Sequence, residues 1–423
     1  PFAFAGDDIA ALTRLKQATG DIAAAWFGQP SQALEVVAVT GTNGKTSTTW
    51  WLAQTLSNQE HLAHGPCALV GTLGVGLADH LEPTGMTTPD PVLLQRSFRQ
   101  FADAGARSCA IEASSIGLAE HRLAGTRIAV AVFTNFTQDH LDWHGSMKAY
   151  AEAKARIYGK NAIMVINRDD DVVAAMVPPP EVIKSTVRGR PAKQIHRNVV
   201  RFGLDAPKKP GDFGLVNESG MAWLVRAMEL DPTIKLKKGE EAEIILQRLM
   251  PADALRIRGR HNASNALAAL ALATAIGCPL APMLHGLREY RGEPHRVEHV
   301  ATVGGVDAID DSKGTNVGAT VAALLGLGSD LSPGKLVIIL GGDGKGQEFA
   351  PLAEPVGRFA RAVALIGRDA QTIGQTLANV TNAAGEALPT ESFTTLEDAT
   401  RWAFAQAKAG DAVLLSPACA SLD

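Results

Sequence analysis

Apolar, β-branched runs alternate with helical patterns through the first part of the chain. The strand-like runs are Glu35–Thr40, Cys109–Ala113, Ala129–Asn135 and Ile163–Asn167. Helical patterns such as Lys45–Ser57 and Asp90–Ala104 lie between them. This alternation predicts a mostly parallel sheet with helices on both faces.

A second series of the same kind begins near residue 300. Its strand-like runs are Val306–Asp310, Leu336–Gly341, Ala362–Gly367 and Ala412–Ser416. Its helical runs lie near Val317–Leu327, Leu352–Ala360 and Leu396–Lys408. The segment Tyr290–Pro294 contains glycine and proline and marks the boundary. The predicted fold class is therefore α/β, with a mostly parallel central sheet domain and a Rossmann-like C-terminal α/β domain.

Composition narrows the class of protein. With 423 residues, 46% hydrophobic and 20% charged, the chain can fill about two to three globular cores. A net charge of −4 gives no reason to expect a nucleic-acid partner, and no run of about 18 apolar residues predicts a membrane span. The four cysteines form no CxxC pair, which favours a reducing cytoplasm over a disulfide or zinc site. We expect a monomer without a signal peptide.

The stretch Lys184–Gly211 is basic, with eight lysines and arginines. It could form a phosphate-binding surface. Aromatic residues do not alternate with the charges, however, so a solvated loop or hairpin is the favoured interpretation.

A glycine-containing segment follows the first strand and precedes the first clear helix. It consists of Gly41, Thr42, Asn43, Gly44, Lys45, Thr46 and Ser47. Its glycines let several backbone N–H groups point at one anion, and the helix N-terminus adds a positive dipole end. Lys45 can neutralise the β- and γ-phosphates, and the Thr46 hydroxyl can ligate Mg²⁺. An accidental glycine turn is the alternative, but the order of elements predicts a P-loop-type, ATP-binding domain.

Three further residues are candidates for the same site. Glu112 ends a buried-looking strand, where open α/β sheets place their ligands, and an acid in such a run is usually paired or metal-bound. His140 follows the strand that ends at Asn135, although a structural hydrogen bond is its alternative role. Lys154 lies on the predicted helix Tyr150–Ile157 and, taken alone, would be a surface lysine.

Asn262 and Asn265 lie three residues apart where a long Ala/Leu helix opens. Two amides on one helical face could contact an adenine or a ribose. Capping of the helix by Asn262 is the alternative role.

The runs TGTNGKTST, IEASSIGLAEHR and TNFTQDHLDWHGSMKAYAEAKARIY resemble the Mur ligases of peptidoglycan synthesis. This resemblance implies an ATP-dependent ligase that joins an amino acid to a carboxylate through an amide bond. It also implies that Glu112 and His140 bind Mg²⁺, and that Lys154 is carbamylated and helps to hold the metal through its new carboxylate. Divalent cations suit a reaction that joins two anions.

The same resemblance assigns nucleotide contacts in the second half of the chain. Asn262 and Asn265 match the family's HNxxN segment, and Arg296, Asp311 and Lys313 match residues that reach ATP from the C-terminal domain. In the family that contact requires domain closure, which excludes water from a reactive acyl phosphate.

The chain resembles two subfamilies of Mur ligase in different parts of its sequence. Up to about Arg127 the chain resembles MurE ligases, in Gly71–Gly74, Met86–Pro89 and Ser114–Leu118. From about residue 140 it resembles MurD ligases, in DDSKGTNVGAT, LGGDGKGQEF and LLSPACASLD. The DNPR segment of MurE enzymes is absent from the sequence. A hybrid of the two is therefore expected.

Substrate contacts are implied in both parts. By resemblance to MurD, Lys345 pairs with a glutamate carboxylate, and Thr315 and Ser421 donate hydrogen bonds. The positions that match acceptor contacts of MurE are Thr87, Thr88, Ser114 and Arg122. Glu120 replaces a glutamine common in MurE, and Ile116 replaces a common histidine.

The favoured hypothesis is addition of D-glutamate to UDP-N-acetylmuramoyl-L-alanine through an acyl phosphate. One alternative is a MurE-like addition of meso-diaminopimelate or L-lysine to UDP-N-acetylmuramoyl-L-alanyl-D-glutamate. Another is a recombined pseudoligase that binds ATP without catalysis. Folylpolyglutamate synthases also add glutamate, but the DDSKGTN and SPACAS segments weigh against them.

Three regions are predicted along the chain. Residues 1–33 are a remnant or linker of a UDP-binding domain, 34–292 form the central ATP-binding domain, and 293–423 form the C-terminal domain. The family carries a whole UDP-binding domain before its phosphate loop, and MurD-like chains continue beyond the position of Asp423 with an aromatic residue. Weak binding of the UDP-sugar is therefore expected.

Overall fold

The computed structural model describes residues 6–58, 63–77, 80–183, 193–234, 240–257, 259–382 and 384–420. The described residues fall into two compact units. The first unit contains Pro1–Phe136, Ser146–Leu255 and Ser264–Glu289, and the second contains Thr137–Gly145, Arg256–Ala263 and Tyr290–Asp423.

The strands of the first unit form one large sheet and two small ones. In chain order they are β1 Glu35–Thr40, β2 Cys67–Gly71, β3 Gly74–Leu77, β4 His80–Glu82, β5 Ser108–Glu112, β6 Ile128–Phe133, β7 Ile163–Asn167, β8 Glu181–Ile183, β9 Lys193–Ile195, β10 Val199–Phe202, β11 Phe213–Glu218, β12 Met221–Glu229 and β13 Ile244–Pro251. Within the described ranges, the large sheet has the order β10-β7-β6-β1-β5-β2-β3-β4. Neighbours from β10 to β2 run parallel, whereas β3 and β4 are antiparallel. The prediction of a mostly parallel central sheet is confirmed.

Helices lie before, between and after these strands along the chain, and those that contain residues 137–145 and 260–263 belong wholly or partly to the second unit. They are α1 Gly6–Trp26, α2 Lys45–Ser57, α3 Pro91–Asp103, α4 Ser115–Ala119, α5 Leu141–His144, α6 Met147–Ala155, α7 Asp171–Ala174, α8 Arg260–Ala275 and α9 Leu280–Glu289, with 3₁₀ turns at Pro30–Gln32, Arg156–Tyr158 and Ala252–Ala254. The sequence explains α3 well. The Asp90 carboxylate accepts two backbone N–H groups at 3.0 Å, and Pro91 takes the first helical position. Leu94, Phe98 and Phe101 then form one buried face at helical spacing.

The second unit has its own sheet, with the order β14-β15-β19-β16-β17-β18. Its strands are β14 Glu298–Val303, β15 Val306–Asp310, β16 Leu336–Gly341, β17 Ala360–Ile366, β18 Thr390–Phe393 and β19 Ala412–Leu415. Its helices include α10 Val317–Asp330, α11 Ala353–Phe359, α12 Ala370–Leu377 and α13 Leu396–Gln406, with a 3₁₀ turn at Ala350–Leu352. Apart from β14 the strands run parallel, as the sequence predicts.

Strand β16 shows why this sheet is covered on both faces. Leu336, Ile338 and Leu340 belong to one apolar cluster, and Val337 and Ile339 belong to another. Successive side chains of a strand point to opposite faces, so a continuous apolar run requires packing partners on both.

The basic stretch that begins at Lys184 is divided between different structures. Residues 184–192 lie outside the described residues, and β9 pairs with β8 as an antiparallel hairpin. Arg197 donates hydrogen bonds to the carbonyls of Tyr158, Gly159 and Ala162 at 3.0, 2.9 and 2.7 Å. The β8–β9 pairing agrees with the hairpin interpretation, whereas Val199–Phe202 departs from it, because it forms β10 and pairs parallel with β7. Separately, among the described helices, none combines the length and the apolar character that a bilayer crossing requires.

Candidate active site

The predicted phosphate loop connects β1 to α2 at the carboxyl edge of the large sheet. Gly41 has φ 145° and Gly44 has φ 82°. A Cβ on Gly41 would lie 1.8 Å from Thr134 Oγ1, and one on Gly44 would lie 2.3 Å from Asn265 Oδ1. Only glycine tolerates both the backbone conformation and the close approach. The loop geometry therefore explains both glycines, and the accidental turn is the weaker interpretation.

The neighbouring strand end holds this loop in place. Thr134 and Asn135 directly follow β6. The Asn43 N–H donates to Asn135 Oδ1 at 2.9 Å, while the Asn43 carbonyl accepts from Thr134 Oγ1 at 2.6 Å and from Asn135 Nδ2 at 3.1 Å. The loop is thereby fixed before any anion arrives, which lowers the entropy lost on binding.

Lys45 folds back over its own loop. Its Nζ donates to the carbonyls of Gly41 at 2.9 Å and Thr42 at 3.0 Å. A lysine ammonium held beside backbone N–H groups and a helix N-terminus is suited to a phosphate group.

Glu112 ends β5 with a side chain that is only 1% exposed. Its Oε2 accepts from Thr46 Oγ1 at 3.1 Å and from Thr72 Oγ1 at 3.2 Å, and its Oε1 accepts from the Thr72 N–H at 3.0 Å. Three donors offset much of the cost of burying a carboxylate. The Thr46 hydroxyl and the Glu112 carboxylate are hard oxygen donors next to the phosphate loop, so this pair fits Mg²⁺.

Lys154, on α6, is not a surface lysine, because only 1% of it is exposed. Its Nζ donates to the Gly41 carbonyl at 2.7 Å and lies 4.7 Å from the centre of the Tyr150 ring. The Tyr150 hydroxyl is 3.3 Å from Thr42 Oγ1. The structure thus places the amine directly beneath the phosphate loop.

The predicted acceptor contacts Thr88, Ser114 and Arg122 are hydrogen-bonded to one another or to β5. Thr88 Oγ1 donates to the Glu112 carbonyl at 2.8 Å and accepts from the Ser114 N–H at 2.9 Å. Arg122 Nη1 donates to the Thr88 carbonyl at 2.8 Å. Ser114 also caps α4 by accepting from the Gly117 N–H at 3.0 Å. These residues share one side of the site with Glu112.

Thr87 joins the same group through Thr72. The two Oγ1 atoms are 3.0 Å apart, and Thr72 also contacts Glu112. A chain of hydrogen bonds therefore runs from a predicted acceptor residue to a predicted metal ligand.

His140 belongs to the second unit, whereas Glu112 and Lys154 belong to the first. It precedes α5 with φ 51°, and its N–H donates to Asp139 Oδ1 at 2.9 Å. The three predicted magnesium ligands are therefore distributed over both units. Asn262 is likewise in the second unit, as the third residue of α8.

Asp311 is a buried acid of the second unit, at 6% exposure. Its Oδ2 accepts from Ser416 Oγ at 2.7 Å, and its Oδ1 accepts from the Val297 N–H at 3.3 Å. Burial raises the pKa of Asp311 to about 6, although the Ser416 hydrogen bond and the Arg296 charge act in the opposite direction. Lys313, two residues further on, is exposed.

The predicted amino-acid contacts lie on loops of the second unit. Lys345 follows β16 with φ 49°, and its N–H donates to Asp343 Oδ1 at 2.9 Å, while its side chain is exposed. The Asp343 backbone exchanges two hydrogen bonds with Ala420, at 3.0 and 2.9 Å. Thr315 is half-buried just before α10. Ser421 lies outside the described residues.

Two models of known protein families match this chain, one in its central part and one in its C-terminal part. The family described as "Mur ligase middle domain" matches residues 39–273, which is more than half of the chain, and "Mur ligase, glutamate ligase domain" matches residues 295–419. The chain belongs to the Mur ligase family.

Similar Mur ligases include two that carry the same name. The UDP-N-acetylmuramoylalanine–D-glutamate ligase of a Polaromonas species is 50% identical over 99% of this chain and 64% of its own length. The enzyme of that name from Albidiferax ferrireducens is 48% identical over 98% of this chain and 77% of its own. The chain thus spans less than two thirds of the first relative and about three quarters of the second.

A solved Mur ligase structure has the same fold. UDP-N-acetylmuramoyl-L-alanyl-D-glutamate–2,6-diaminopimelate ligase aligns with a TM-score of 0.59 and 24% identity, covering 95% of this chain and 77% of its own. The predicted α/β fold class is confirmed.

The expectation of a MurE/MurD hybrid receives no support. The two relatives above match nearly the whole chain, including the segments that resemble MurE. The structure gives a physical reason. Thr72 and Thr88, from two of those segments, bind Glu112 beside the phosphate loop. Two of these segments therefore contact a residue beside the phosphate loop, and their likeness to MurE does not divide the chain between two subfamilies.

Sequence reasoning missed Thr72, Thr134, Asn135 and Tyr150. A signal existed for the first three, because each follows directly or closely on the carboxyl end of a strand, the edge where such sheets bind ligands. Tyr150 lies within a helix, and its contact with Thr42 crosses 108 residues of sequence. No local pattern predicts a contact at that separation.

Proposed function

We propose that this chain is an ATP-dependent ligase that adds D-glutamate to UDP-N-acetylmuramoyl-L-alanine. The observation that carries the proposal is the buried Thr46–Glu112 pair beside the phosphate loop, which suits a magnesium nucleotide. The names of the 50% and 48% identical relatives support the choice of substrates. The same proposal includes a role in peptidoglycan precursor synthesis. It places the protein in the cytoplasm, because scattered cysteines favour a reducing compartment.

The phosphate groups of ATP would bind to the loop Gly41–Ser47. Lys45 neutralises phosphate charge from a position that its two carbonyl contacts already define. Thr46 and Glu112 would hold Mg²⁺, together with His140 and a carbamylated Lys154. When bound, the metal screens the charge between two anions that must approach each other.

The reaction proceeds in two steps. The acceptor carboxylate attacks the γ-phosphorus of ATP, so that an acyl phosphate forms and ADP leaves. The amine of D-glutamate then attacks the acyl carbon, loses a proton, and the tetrahedral intermediate collapses to amide and phosphate. Lys45 stabilises the charge that develops on the transferred group.

The remaining nucleotide contacts are assigned by family resemblance. Asn265 lies against Gly44, and Asn262 is on the same helix, so both amides are proposed to contact the nucleoside. Arg296, Asp311 and Lys313 are proposed to contact ATP. The regions 34–292 and 293–423 are proposed as the two domains that carry these groups.

Substrate selection is proposed to come from two sets of residues. The acceptor contacts are Thr87, Thr88, Ser114 and Arg122. Lys345, Thr315 and Ser421 are assigned to D-glutamate. The exposed ammonium of Lys345 is suited to the side-chain carboxylate, because a cation beside an anionic group selects for it.

Transfer of radiolabelled D-glutamate to UDP-N-acetylmuramoyl-L-alanine tests this function. The label should enter the UDP-linked product only with ATP and Mg²⁺, with one ADP formed for each glutamate incorporated. ADP formation without incorporation, or no incorporation at any acceptor concentration, would reject the assignment.

A further inference from the structure

A cavity of about 460 Å³ lies in the first unit away from the phosphate loop. Its walls are the turn after α4, the start of β6, and the turn between α6 and β7. Buried apolar side chains, including Leu118 and Ile157, form part of the lining. A cavity of this size is within the usual range for small-molecule sites.

The cavity and the phosphate loop are at opposite edges of the sheet. Ile128 begins β6, and Ala162 immediately precedes β7, so the cavity is at the amino edge. The phosphate loop follows the carboxyl end of β1, which runs parallel to β6. A strand of six residues spans about 20 Å, so one small ligand does not reach both places.

The charge of the lining is unusual for this chain. Among the described lining residues, Arg127, Arg156 and Lys160 are basic, and none is an aspartate or glutamate. Yet the whole chain has 44 acidic and 40 basic residues. The nearby acid Glu120 is paired with Lys16 outside the lining. The cavity therefore has a local excess of positive charge.

Hydrogen bonds hold the cationic walls in position. Arg197 binds the carbonyls of Tyr158, Gly159 and Ala162, which fixes the turn that carries Lys160. Arg156 Nη1 lies 3.4 Å from the Ala119 carbonyl and so faces the turn after α4.

We propose that this cavity binds a small phosphate-bearing anion at a site separate from the phosphate loop. Two arginines and a lysine supply the charge-assisted donors that phosphate oxygens prefer, and the apolar lining gives room for a planar or aliphatic group. The ligand class is a soluble mononucleotide or inorganic phosphate. The site goes beyond the proposed ligase function, because it does not involve the reacting groups.

Isothermal titration of the full chain, without ATP or Mg²⁺, tests the site with two probes, uridine monophosphate and inorganic phosphate. Arg156→Ala/Lys160→Ala should weaken binding of the effective probe by about tenfold or more. Lys45→Ala, which disables the phosphate loop, should leave that binding within about twofold. The surface variant Lys148→Ala is the matched control for loss of one exposed lysine.

The possible outcomes distinguish a nucleotide site from a phosphate site, and both from binding at the phosphate loop. Tighter binding of the nucleotide than of phosphate identifies a nucleotide site, and equal binding identifies a phosphate site. Binding that Lys45→Ala abolishes and the double variant retains would overturn the proposal, as would no heat from either probe up to about 10 mM. Charge reversal by Lys160→Glu, with an unchanged thermal unfolding midpoint, distinguishes lost binding from a folding defect.

Discussion

The phosphate-loop end of the first unit and the amino-acid loops of the second unit present their charged groups in different ways. Glu112 and Lys154 are each 1% exposed, and both have hydrogen-bond partners in the structure. Lys345, which is assigned to D-glutamate, carries an exposed side chain on a loop. In the second unit, Asp311 resembles Glu112 in being buried, with 6% exposure and a hydrogen bond from Ser416.

This difference corresponds to the two kinds of work in the proposed reaction. Phosphoryl transfer depends on charges that are fixed before the reaction, because reorganisation at the transition state would cost free energy. An amino acid that enters and leaves at every turnover suits accessible cations. Changes to the buried set should therefore affect turnover, and changes to the exposed set should affect the Michaelis constant of one substrate.

Lys45→Ala, in the phosphate loop, should have the largest effect on turnover. We expect kcat to fall by at least about 10³-fold, because the variant removes the cation that balances phosphate charge. Phosphate release from ATP in steady state measures this. The exposed Lys148→Ala should retain normal turnover. Turnover within tenfold of the wild type would contradict the role of the loop.

Lys154→Ala tests whether the buried lysine contributes as a carbamate. Turnover should fall by more than about 100-fold and recover in part when acetate or formate is added, because a free carboxylate can occupy the vacated place. Lys148→Ala, on the same helix, is the matched control. Loss without rescue, in a variant with a normal unfolding midpoint, would count against carbamylation.

Lys345→Ala tests whether this exposed lysine of the second unit binds D-glutamate. The Michaelis constant for D-glutamate should rise by about 10- to 100-fold, while that for ATP changes by less than about twofold. Lys408→Ala, another exposed lysine of the second unit, serves as the control. Equal effects on both substrates would remove the assigned role from Lys345.

Thr72→Val tests a contact that supports the buried Glu112. The variant keeps the shape and the N–H bond to Glu112 but loses the hydroxyl that joins Glu112 to Thr87. The Mg²⁺ concentration for half-maximal activity should rise by about tenfold, since such supporting contacts orient metal ligands. Thr72→Ser should restore the wild-type value. An unchanged magnesium requirement in both variants would show that the hydroxyl has no positioning role.

The dependence of protein stability on pH tests the effect of burying the Asp311 carboxyl group. Its pKa is raised to about 6 by burial, so between about pH 4 and pH 6 the folded protein holds a proton that the unfolded chain has released. This contribution to stability is present below the unfolded pKa and is lost as the pH rises through about 6. The free energy of unfolding should therefore fall by about 2 to 3 kcal/mol more in the wild type than in Asp311→Asn between pH 4 and pH 7. Parallel pH profiles in denaturant titrations would contradict this.

Local patterns predicted the scaffold well. Strands β1 and β7 and helix α2 begin and end at the predicted residues, because strand, turn and helix signals are all contained in short windows. The position of Glu112 at a strand end was also predictable, because parallel strands bring their carboxyl ends to one edge.

The arrangement around those elements could not be predicted in the same way. The burial of Lys154 depends on a contact with Gly41 across 113 residues, and the two contacts of Thr72 with Glu112 cross 40. The likeness of single segments to MurE also misled, because relatives of one name match nearly the whole chain. Side-chain partners that are distant in sequence are set by packing of the whole unit.

Phosphate release from ATP with Mg²⁺, measured over two acceptors and two amino acids, tests the central claim most directly. The acceptors are UDP-N-acetylmuramoyl-L-alanine and UDP-N-acetylmuramoyl-L-alanyl-D-glutamate, and the amino acids are D-glutamate and meso-diaminopimelate. The proposed function predicts release only with the first acceptor and D-glutamate. Release only with the second acceptor and diaminopimelate, or no release with any pair, would contradict it.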